Sequence, residues 1–249
     1  MMARTGRSVH DPGKPARAPE LPKALRGVHR LVLLGDSITE QGAERGGYVW
    51  LLERWLAVAY PAQPIQCVNA GISGHRSPDM LARFRADVLE RRPDLVAINV
   101  GVNDVWHAFH DWATGFDHPK GDLPAGVPVD AYRSNVAAMV GMADDAGIRT
   151  ILLSPTLVHE DLQGSENRRL VKYVRAERDV ARSRGCLFID LNAAFRRVVA
   201  AWRRHAGPAR NLLTTDGVHL NDAGNHLMAA TILCGLGARV DVALGPEGT

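Results

Sequence analysis

Short apolar runs that alternate with helical segments constrain the fold of this chain more than any other feature. Five runs rich in Val, Ile and Leu have the length of β-strands and occupy residues 31–34, 65–68, 95–100, 150–153 and 187–189. Apolar residues fill these runs almost continuously instead of alternating with polar ones. This pattern predicts strands that are covered on both faces, as in a parallel sheet.

Amphipathic segments with helical spacing separate the apolar runs and follow the last of them. They occupy residues 48–59, 78–90, 129–146, 166–184, 193–204 and 221–236. Strands and helices in alternation predict an α/β protein, with right-handed crossovers that place helices on both faces of the sheet. The expected architecture is therefore a three-layer α/β/α sandwich around a five-stranded parallel sheet.

The composition is typical of one globular domain. Of the 249 residues, 46% are hydrophobic and 23% are charged, close to the average for soluble domains. Residues 1–26 are rich in Pro, Arg and Lys, and we predict that they form a flexible leader ahead of a single domain at 27–249. The formal net charge of +3 is too small to favour nucleic acid as a partner.

The cysteines and the hydropathy indicate in which cellular compartment the protein is found. Cys67, Cys186 and Cys234 are widely spaced and form no C-x-x-C pair, which predicts neither a disulfide framework nor a zinc site. The sequence contains no apolar stretch with the length of a signal-peptide core or a membrane span, as either would require. We therefore expect a cytoplasmic protein.

Polar residues follow three of the predicted strands, at the edge where α/β sheets bind their ligands. The segment GDSIT contains Asp36 and Ser37, NAGISG contains Gly71, and GVND contains Asn103. A serine hydroxyl can act as a nucleophile, although a serine after a strand is more commonly the N-cap of the next helix. A glycine allows a backbone N–H to approach a ligand closely, and an asparagine amide can donate to an oxyanion. Both also occur in ordinary turns.

A fourth segment, DGVH, places Asp216 three residues before His219. Residues at this spacing share one face of a helical turn, so the carboxylate can orient the imidazole. Taken alone, the pair is better explained by an Asp and a His that face solvent before a helix. The four segments are more informative together, because all of them are predicted to lie at the same edge of the sheet.

The four segments also occur in the order found in the SGNH hydrolases, or GDSL lipases and esterases, which the chain resembles over residues 30–230. The resemblance implies a flavodoxin-like SGNH hydrolase fold, with Ser37 as nucleophile and Asp216 and His219 completing a catalytic triad. It also implies an oxyanion hole formed by Ser37, Gly71 and Asn103. Asp36 is expected beside the substrate, and no cofactor is implied.

An insertion at residues 106–128 interrupts the connection after the third strand and is longer than such loops usually are. Trp106, Phe109 and Trp112 in this insertion are candidates for substrate contact, with packing inside the loop itself as the alternative. Three histidines, His107, His110 and His118, lie in the same loop, but they lack metal-ligand spacing. We therefore predict no metal site.

The expected function is that of a serine esterase that hydrolyses carboxylic esters through an acyl-enzyme on Ser37. Short acyl groups such as acetyl, carried on a small molecule or a carbohydrate, are the substrates that the resemblance favours. Two alternatives remain open: a lysophospholipase or thioesterase that acts on longer acyl chains, and a non-catalytic binding protein with the same fold.

Overall fold

A five-stranded parallel sheet forms the centre of the protein, in a computed structural model that describes residues 20–208 and 210–238. Side by side, its strands are β2 (Gln66–Gly71), β1 (Arg30–Gly35), β3 (Leu95–Asn99), β6 (Arg149–Leu153) and β7 (Leu187–Ile189). Each strand overlaps one of the five apolar runs, so the predicted strands are confirmed. The strands β1, β3 and β6 are buried along almost their whole length, because helices cover both faces of the sheet.

Eight α-helices surround the sheet within the described residues. They are α1 (Ser37–Gln41), α2 (Tyr48–Ala59), α3 (Ser77–Asp87), α4 (Val102–Trp106), α5 (Val129–Asp145), α6 (Ser165–Arg184), α7 (Leu191–Ala206) and α8 (Asp222–Gly235). One layer contains α2, α7 and α8, which pack on one another, and the other contains α3, α5 and α6. The predicted three-layer sandwich is therefore confirmed. The short helices α1 and α4 were not predicted, since each has only five residues.

The order of the strands determines where a ligand can bind. β2 and β3 lie on opposite sides of β1. The connection from β1 to β2 therefore runs towards one edge of the sheet, and the connection from β2 to β3 runs back towards the other edge. Such a reversal opens a crevice at the carboxyl ends of the strands. The helices α1 and α4 both begin at this crevice.

The last residues of the predicted leader pack against the domain. A 3₁₀ helix spans Lys23–Leu25, and both Leu25 and Val28 are completely buried. The Arg149 guanidinium donates hydrogen bonds to two carbonyl oxygens of this segment. A flexible leader therefore does not extend to residue 26, and its first nineteen residues lie outside the described part of the chain.

The insertion at 106–128 folds back on the domain. It contains a small antiparallel hairpin, formed by β4 (His110–Asp111) and β5 (Phe116–Asp117). The Arg169 side chain on α6 donates to backbone carbonyl oxygens of the insertion. These contacts attach the loop to the helical layer that contains α6.

No helix in the described ranges combines the length and the apolar character that a membrane span requires.

Candidate active site

Ser37 is the first residue of α1 and follows β1 at the reversal of strand order. The N-cap of α1 is Asp36, whose carboxylate accepts a hydrogen bond from the Ile38 N–H at 3.0 Å. The Ser37 hydroxyl is therefore not the cap, and it lies 2.8 Å from Nε2 of His219. Asp36 is 1% exposed, so its carboxylate supports the helix that carries Ser37, and the expectation that it lies beside the substrate is wrong.

The imidazole of His219 connects Ser37 to a carboxylate. Its Nδ1 lies 2.6 Å from Oδ2 of Asp216, while Oδ1 of Asp216 accepts from the backbone N–H groups of Val218 and His219 at 2.9 and 2.8 Å. Partial burial raises the pKa of Asp216, but these hydrogen bonds outweigh it and leave the pKa below its usual value. An ionised carboxylate at Nδ1 directs Nε2 towards the serine hydroxyl as a proton acceptor.

The turn that carries Asp216 and His219 is held by Glu160, which follows β6 and is 5% exposed. Its carboxylate accepts hydrogen bonds from the backbone N–H groups of Leu212, Leu213 and Thr214, and from the Thr214 hydroxyl. No local pattern in the sequence indicates this role, because Glu160 and Thr214 are far apart in the chain.

His159 makes a second contact with the same turn. Its backbone N–H donates to the Gly217 carbonyl oxygen at 2.7 Å. A Cβ atom at position 217 would lie 2.3 Å from the His159 ring, and Gly217 has a φ of +100°. Both the close approach and the positive φ favour glycine at this position.

Asn103 lies in the first turn of α4, directly after β3. Its side-chain amide donates to the His75 carbonyl oxygen at 3.1 Å. Since a primary amide has two N–H groups, this bond orients the side chain and leaves the other N–H for a ligand. Asn103 and Ser37 line the same cavity.

The structure places Gly71 elsewhere. Its N–H donates to Oδ1 of Asn69 at 2.8 Å, and the residue does not line the cavity that contains Ser37. A Cβ atom at position 71 would lie 2.1 Å from the backbone nitrogen of Glu40. Gly71 is therefore needed for the close approach of β2 to α1, and its assignment to the oxyanion hole is wrong.

Gly74, three residues further on, occupies the position expected of Gly71. It lines the cavity beside Ser37 and Asn103 and has a φ of +77°. Within the described residues, no protein group accepts a hydrogen bond from the backbone N–H of Gly74 or of Ser37. The loop is held by Glu40, whose carboxylate accepts from the N–H of Ser73 at 2.8 Å and from its hydroxyl.

A cavity of about 440 Å³ opens at Ser37, within the range of about 300 to 1,000 Å³ that is typical of small-molecule sites. Trp106 and Trp112 line it and meet edge to face, with ring centroids 4.8 Å apart. Phe109 does not line it: the ring is 3% exposed, and the Arg169 guanidinium lies 4.4 Å from its centroid. The structure thus brings two of the three predicted aromatic residues to the site and places Phe109 in the core of the insertion.

Two buried carboxyl groups lie beneath the site. Asp104 accepts hydrogen bonds from the Ser77 N–H at 3.0 Å and from its hydroxyl at 2.5 Å, which joins α4 to the start of α3. Burial raises the pKa of Asp104 to about 7 and that of Asp36 to about 6. Ser77 is itself bonded by the Asn135 amide, so the Asn103 helix is connected to two neighbouring helices.

The described residues contain no group of three or more His, Cys, Asp or Glu side chains placed to bind a metal ion. The histidines of the insertion have separate surroundings: His110 is bonded to Asp117 at 2.8 Å, whereas His107 lines the cavity. Gln41 also lines the cavity. Neither Gln41 nor the individual role of His107 was predicted. Gln41 lies one helical turn after Ser37 in α1 but belongs to no recognised segment, whereas only the tertiary structure brings His107 into the same cavity as Ser37.

A serine, a histidine and a carboxylate joined in line by hydrogen bonds at the edge of an α/β sheet form the arrangement of a serine hydrolase. Residues 33–227 match the GDSL-like Lipase/Acylhydrolase family, and the chain belongs to this family. The predicted family membership is therefore confirmed.

Similar proteins agree with this assignment. The chain is 30% identical over 223 residues to an acetylxylan esterase of Geobacillus stearothermophilus, over 84% of this chain and 94% of the relative. It is 25% identical over 139 residues to an arylesterase of Vibrio mimicus, over 53% of this chain and 58% of the relative. The crystal structure of an acetyl xylan esterase, AlAXEase, has a TM-score of 0.72 at 29% identity and covers 82% of this chain and 98% of that chain. The protein is a carboxylic ester hydrolase.

Proposed function

We propose that this protein is a serine esterase that removes acetyl groups from carbohydrates, with Ser37 as nucleophile and His219 and Asp216 as its activating pair. The observation that carries the proposal is the unbroken chain of hydrogen bonds from Asp216 through His219 to the Ser37 hydroxyl. This series of hydrogen bonds ends at a cavity that can admit a small ester. The sugar part of the proposal rests on the acetylxylan esterases to which the chain is similar.

The first half of the reaction is acyl transfer to the enzyme. His219 takes the proton of the Ser37 hydroxyl as Oγ attacks the ester carbonyl carbon, because a serine hydroxyl needs a base at neutral pH. Asp216 stabilises the imidazolium that forms. The tetrahedral intermediate then collapses, the bond to the alcohol oxygen breaks, and His219 donates its proton to that oxygen.

The second half releases the acid. Water enters the site, His219 removes one of its protons, and the hydroxide oxygen bonds to the acyl carbon. The bond to Ser37 Oγ breaks, and the serine recovers its proton from His219. Acetate is the product when the acyl group is acetyl.

The developing negative charge requires fixed donors. Ser37, Gly74 and Asn103 line the same cavity, and we assign the oxyanion hole to the backbone N–H groups of Ser37 and Gly74 and the side-chain amide of Asn103. Each such donor typically changes kcat by about 100- to 1,000-fold. Gly74 replaces Gly71 in this assignment.

The lining of the cavity suits a polar alcohol such as a sugar. Trp106 and Trp112 supply flat apolar faces, which suit a sugar ring, while Gln41 and His107 add polar groups. A lysophospholipase or thioesterase would need an extended apolar groove for a long acyl chain.

We also propose that the protein acts in the cytoplasm. Cys67, Cys186 and Cys234 are all free thiols, which suits a reducing compartment. Cell fractionation with an antibody against the protein tests this proposal, and recovery outside the cytoplasmic fraction would refute it.

The experiment that tests the esterase compares p-nitrophenyl esters from acetate to palmitate with acetylated xylo-oligosaccharides. We expect turnover to be greatest for acetyl esters, to include the sugar esters, and to disappear in Ser37→Ala. Ser134→Ala, which changes an exposed hydroxyl on α5, is the matched control and should behave as wild type.

Two outcomes would contradict the proposal. Preference for long acyl chains would favour the lysophospholipase or thioesterase alternative. Equal hydrolysis by wild type and Ser37→Ala would exclude Ser37 as the nucleophile. Labelling with an organophosphonate, followed by mass spectrometry, identifies the modified residue independently of turnover.

A further inference from the structure

Two polar side chains of the catalytic cavity have no role in the proposed acyl transfer. The lining includes Ser37, Gly74, Asn103 and His219, which that reaction uses, and also Gln41 and His107. Within the described residues, neither the Gln41 amide nor the His107 ring makes a hydrogen bond to the protein. Unpaired polar groups in a binding cavity are available to a ligand.

Their positions in the sequence relate them to the reacting groups. Gln41 lies four residues after Ser37 in α1, and His107 lies four residues after Asn103, at the end of α4. Residues at this spacing are neighbours on one face of a helix. Each unpaired side chain therefore lies one turn beyond a residue that is proposed to contact the ester itself.

The surroundings of His107 determine its chemical form. The ring packs against Trp112, with centroids 5.8 Å apart and planes at 73°. Burial, with smaller contributions from the charges of Arg76 and His110, lowers the pKa of His107 to about 4, while Asp79 opposes them. At neutral pH the ring is uncharged, so it has one N–H donor and one acceptor nitrogen.

A hydroxyl group matches such a site well, because it is also both a donor and an acceptor. The Gln41 amide likewise offers both functions. Trp106 and Trp112 lie in the same cavity, where an indole face can cover the apolar face of a sugar ring. In a simple aryl or alkyl ester the single hydroxyl of the alcohol is esterified, so no free hydroxyl remains to bond to these two side chains.

We propose that Gln41 and His107 bind free hydroxyl groups of the acetylated sugar, next to the ester oxygen, and thereby select polyhydroxylated alcohols over aryl and alkyl alcohols. This inference rests on the proposed function and names the part of the substrate that the two residues recognise. They act in substrate selection, and Ser37, His219 and Asp216 perform the chemistry.

The test measures a ratio: kcat/KM for an acetylated xylo-oligosaccharide divided by kcat/KM for p-nitrophenyl acetate. In His107→Phe the ring remains but both nitrogens are lost, and in Gln41→Leu the amide is replaced by an apolar group of similar size. We expect each change to lower the ratio by about tenfold, the effect of one lost hydrogen bond, mainly through KM for the sugar. The conservative variant His107→Asn should recover part of the ratio.

The matched control is His205→Phe, at an exposed position in the last turn of α7, and it should leave the ratio unchanged. A ratio that stays at the wild-type value in both His107→Phe and Gln41→Leu would overturn the inference. Equal losses on both substrates would also overturn it, because they would indicate a structural or general catalytic role. Thermal unfolding of each variant identifies losses that come from the fold.

Failure of the proposed function has a different signature. If wild type cleaves p-nitrophenyl acetate but no acetylated sugar, the carbohydrate assignment is refuted and the selection inference with it. If wild type cleaves the sugar ester and the variants keep its ratio, only the inference fails.

Discussion

The two halves of the site are held in place in different ways. Ser37 and Asn103 lie in the first turns of helices that follow buried strands, and they are 6% and 3% exposed. Asp216 and His219 lie in an irregular turn, where their side chains are 49% and 22% exposed to solvent. The first half is positioned by the sheet, whereas the second depends on Glu160, a residue distant in sequence.

Because of this difference, mutations in one half remove a group that reacts, whereas mutations in the other half misplace one. Truncating a residue of the sheet-edge half removes a reacting group or a donor, while loosening the Asp216 turn leaves every reacting group present but less well placed. We therefore expect the two kinds of change to differ in size.

The largest effect is expected for Ser37→Ala. Loss of the nucleophile should lower kcat for p-nitrophenyl acetate by about a millionfold, without change in the far-ultraviolet circular dichroism. Retention of more than a small fraction of the activity would mean that the sheet-edge half does not supply the nucleophile.

Asn103→Ala should be the next most severe change. Loss of one oxyanion donor lowers kcat by about 100- to 1,000-fold, and KM should change little because the donor acts mainly in the transition state. Steady-state kinetics with p-nitrophenyl acetate measures both constants. A large rise in KM with normal kcat would indicate that Asn103 binds the ground state instead.

Glu160→Gln tests the other half. The variant replaces one carboxylate oxygen by an amide N–H, which cannot accept the bonds that this oxygen accepts. Misplacement of His219 by about 1 Å can cost about 100-fold in rate, so we expect a fall in kcat of about 10- to 100-fold. Glu53→Gln, at an exposed position on α2, is the control.

The readout that distinguishes alignment from general destabilisation is the rate at which an organophosphonate labels Ser37. It should fall in parallel with kcat in Glu160→Gln at temperatures where the protein stays folded. Normal kcat in this variant would show that the Asp216 turn holds itself in place and would remove the contrast between the halves.

The smallest effect on turnover, and a distinct effect on stability, is expected for Asp104→Asn. Burial raises the pKa of Asp104 from 3.8 to about 7, so the folded state binds more protons than the unfolded state between these values. Its contribution to the free energy of unfolding is fully present below pH 3.8 and is lost as the pH rises to about 7, by proton linkage. Asp104→Asn should make the free energy of unfolding less dependent on pH in this range. The similar pH dependence that Asp36 contributes should remain.

Urea unfolding at a series of pH values measures the slope of the free energy of unfolding against pH. An unchanged slope in Asp104→Asn would mean that Asp104 does not retain its proton in the folded state. Turnover should fall by no more than a few-fold, because the Asn103 helix is also anchored directly by the bond from Asn103 to the His75 carbonyl oxygen.

Much of the fold could be predicted, because its elements depend on local pattern. The helix α2 and the strand β7 begin and end at the predicted residues. Helix α3 ends earlier than predicted, since the chain turns into a 3₁₀ segment at Leu89–Arg91. The short helices α1 and α4 escaped prediction because five residues carry too little periodicity.

The candidate site was predicted less evenly. Ser37, Asn103, Asp216 and His219 lie in short segments whose residue types and order indicate their chemistry. Gly71 and Phe109 were misplaced, because nothing in the local sequence shows which N–H is already bonded or which aromatic ring a neighbouring arginine covers.

The α/β fold class, the family and the candidate residues for acyl transfer follow from the amino-acid sequence, because they depend on periodicity and on short segments with characteristic chemistry. Only the assembled fold brings Gly74 and not Gly71 to the cavity and lets Glu160 hold the Asp216 turn. It also places His107 in the same cavity as Ser37, without a hydrogen-bond partner among the described residues. These features depend on contacts between residues distant in the chain. Their hydrogen bonds and burial exist only once the sheet and its two helical layers have assembled.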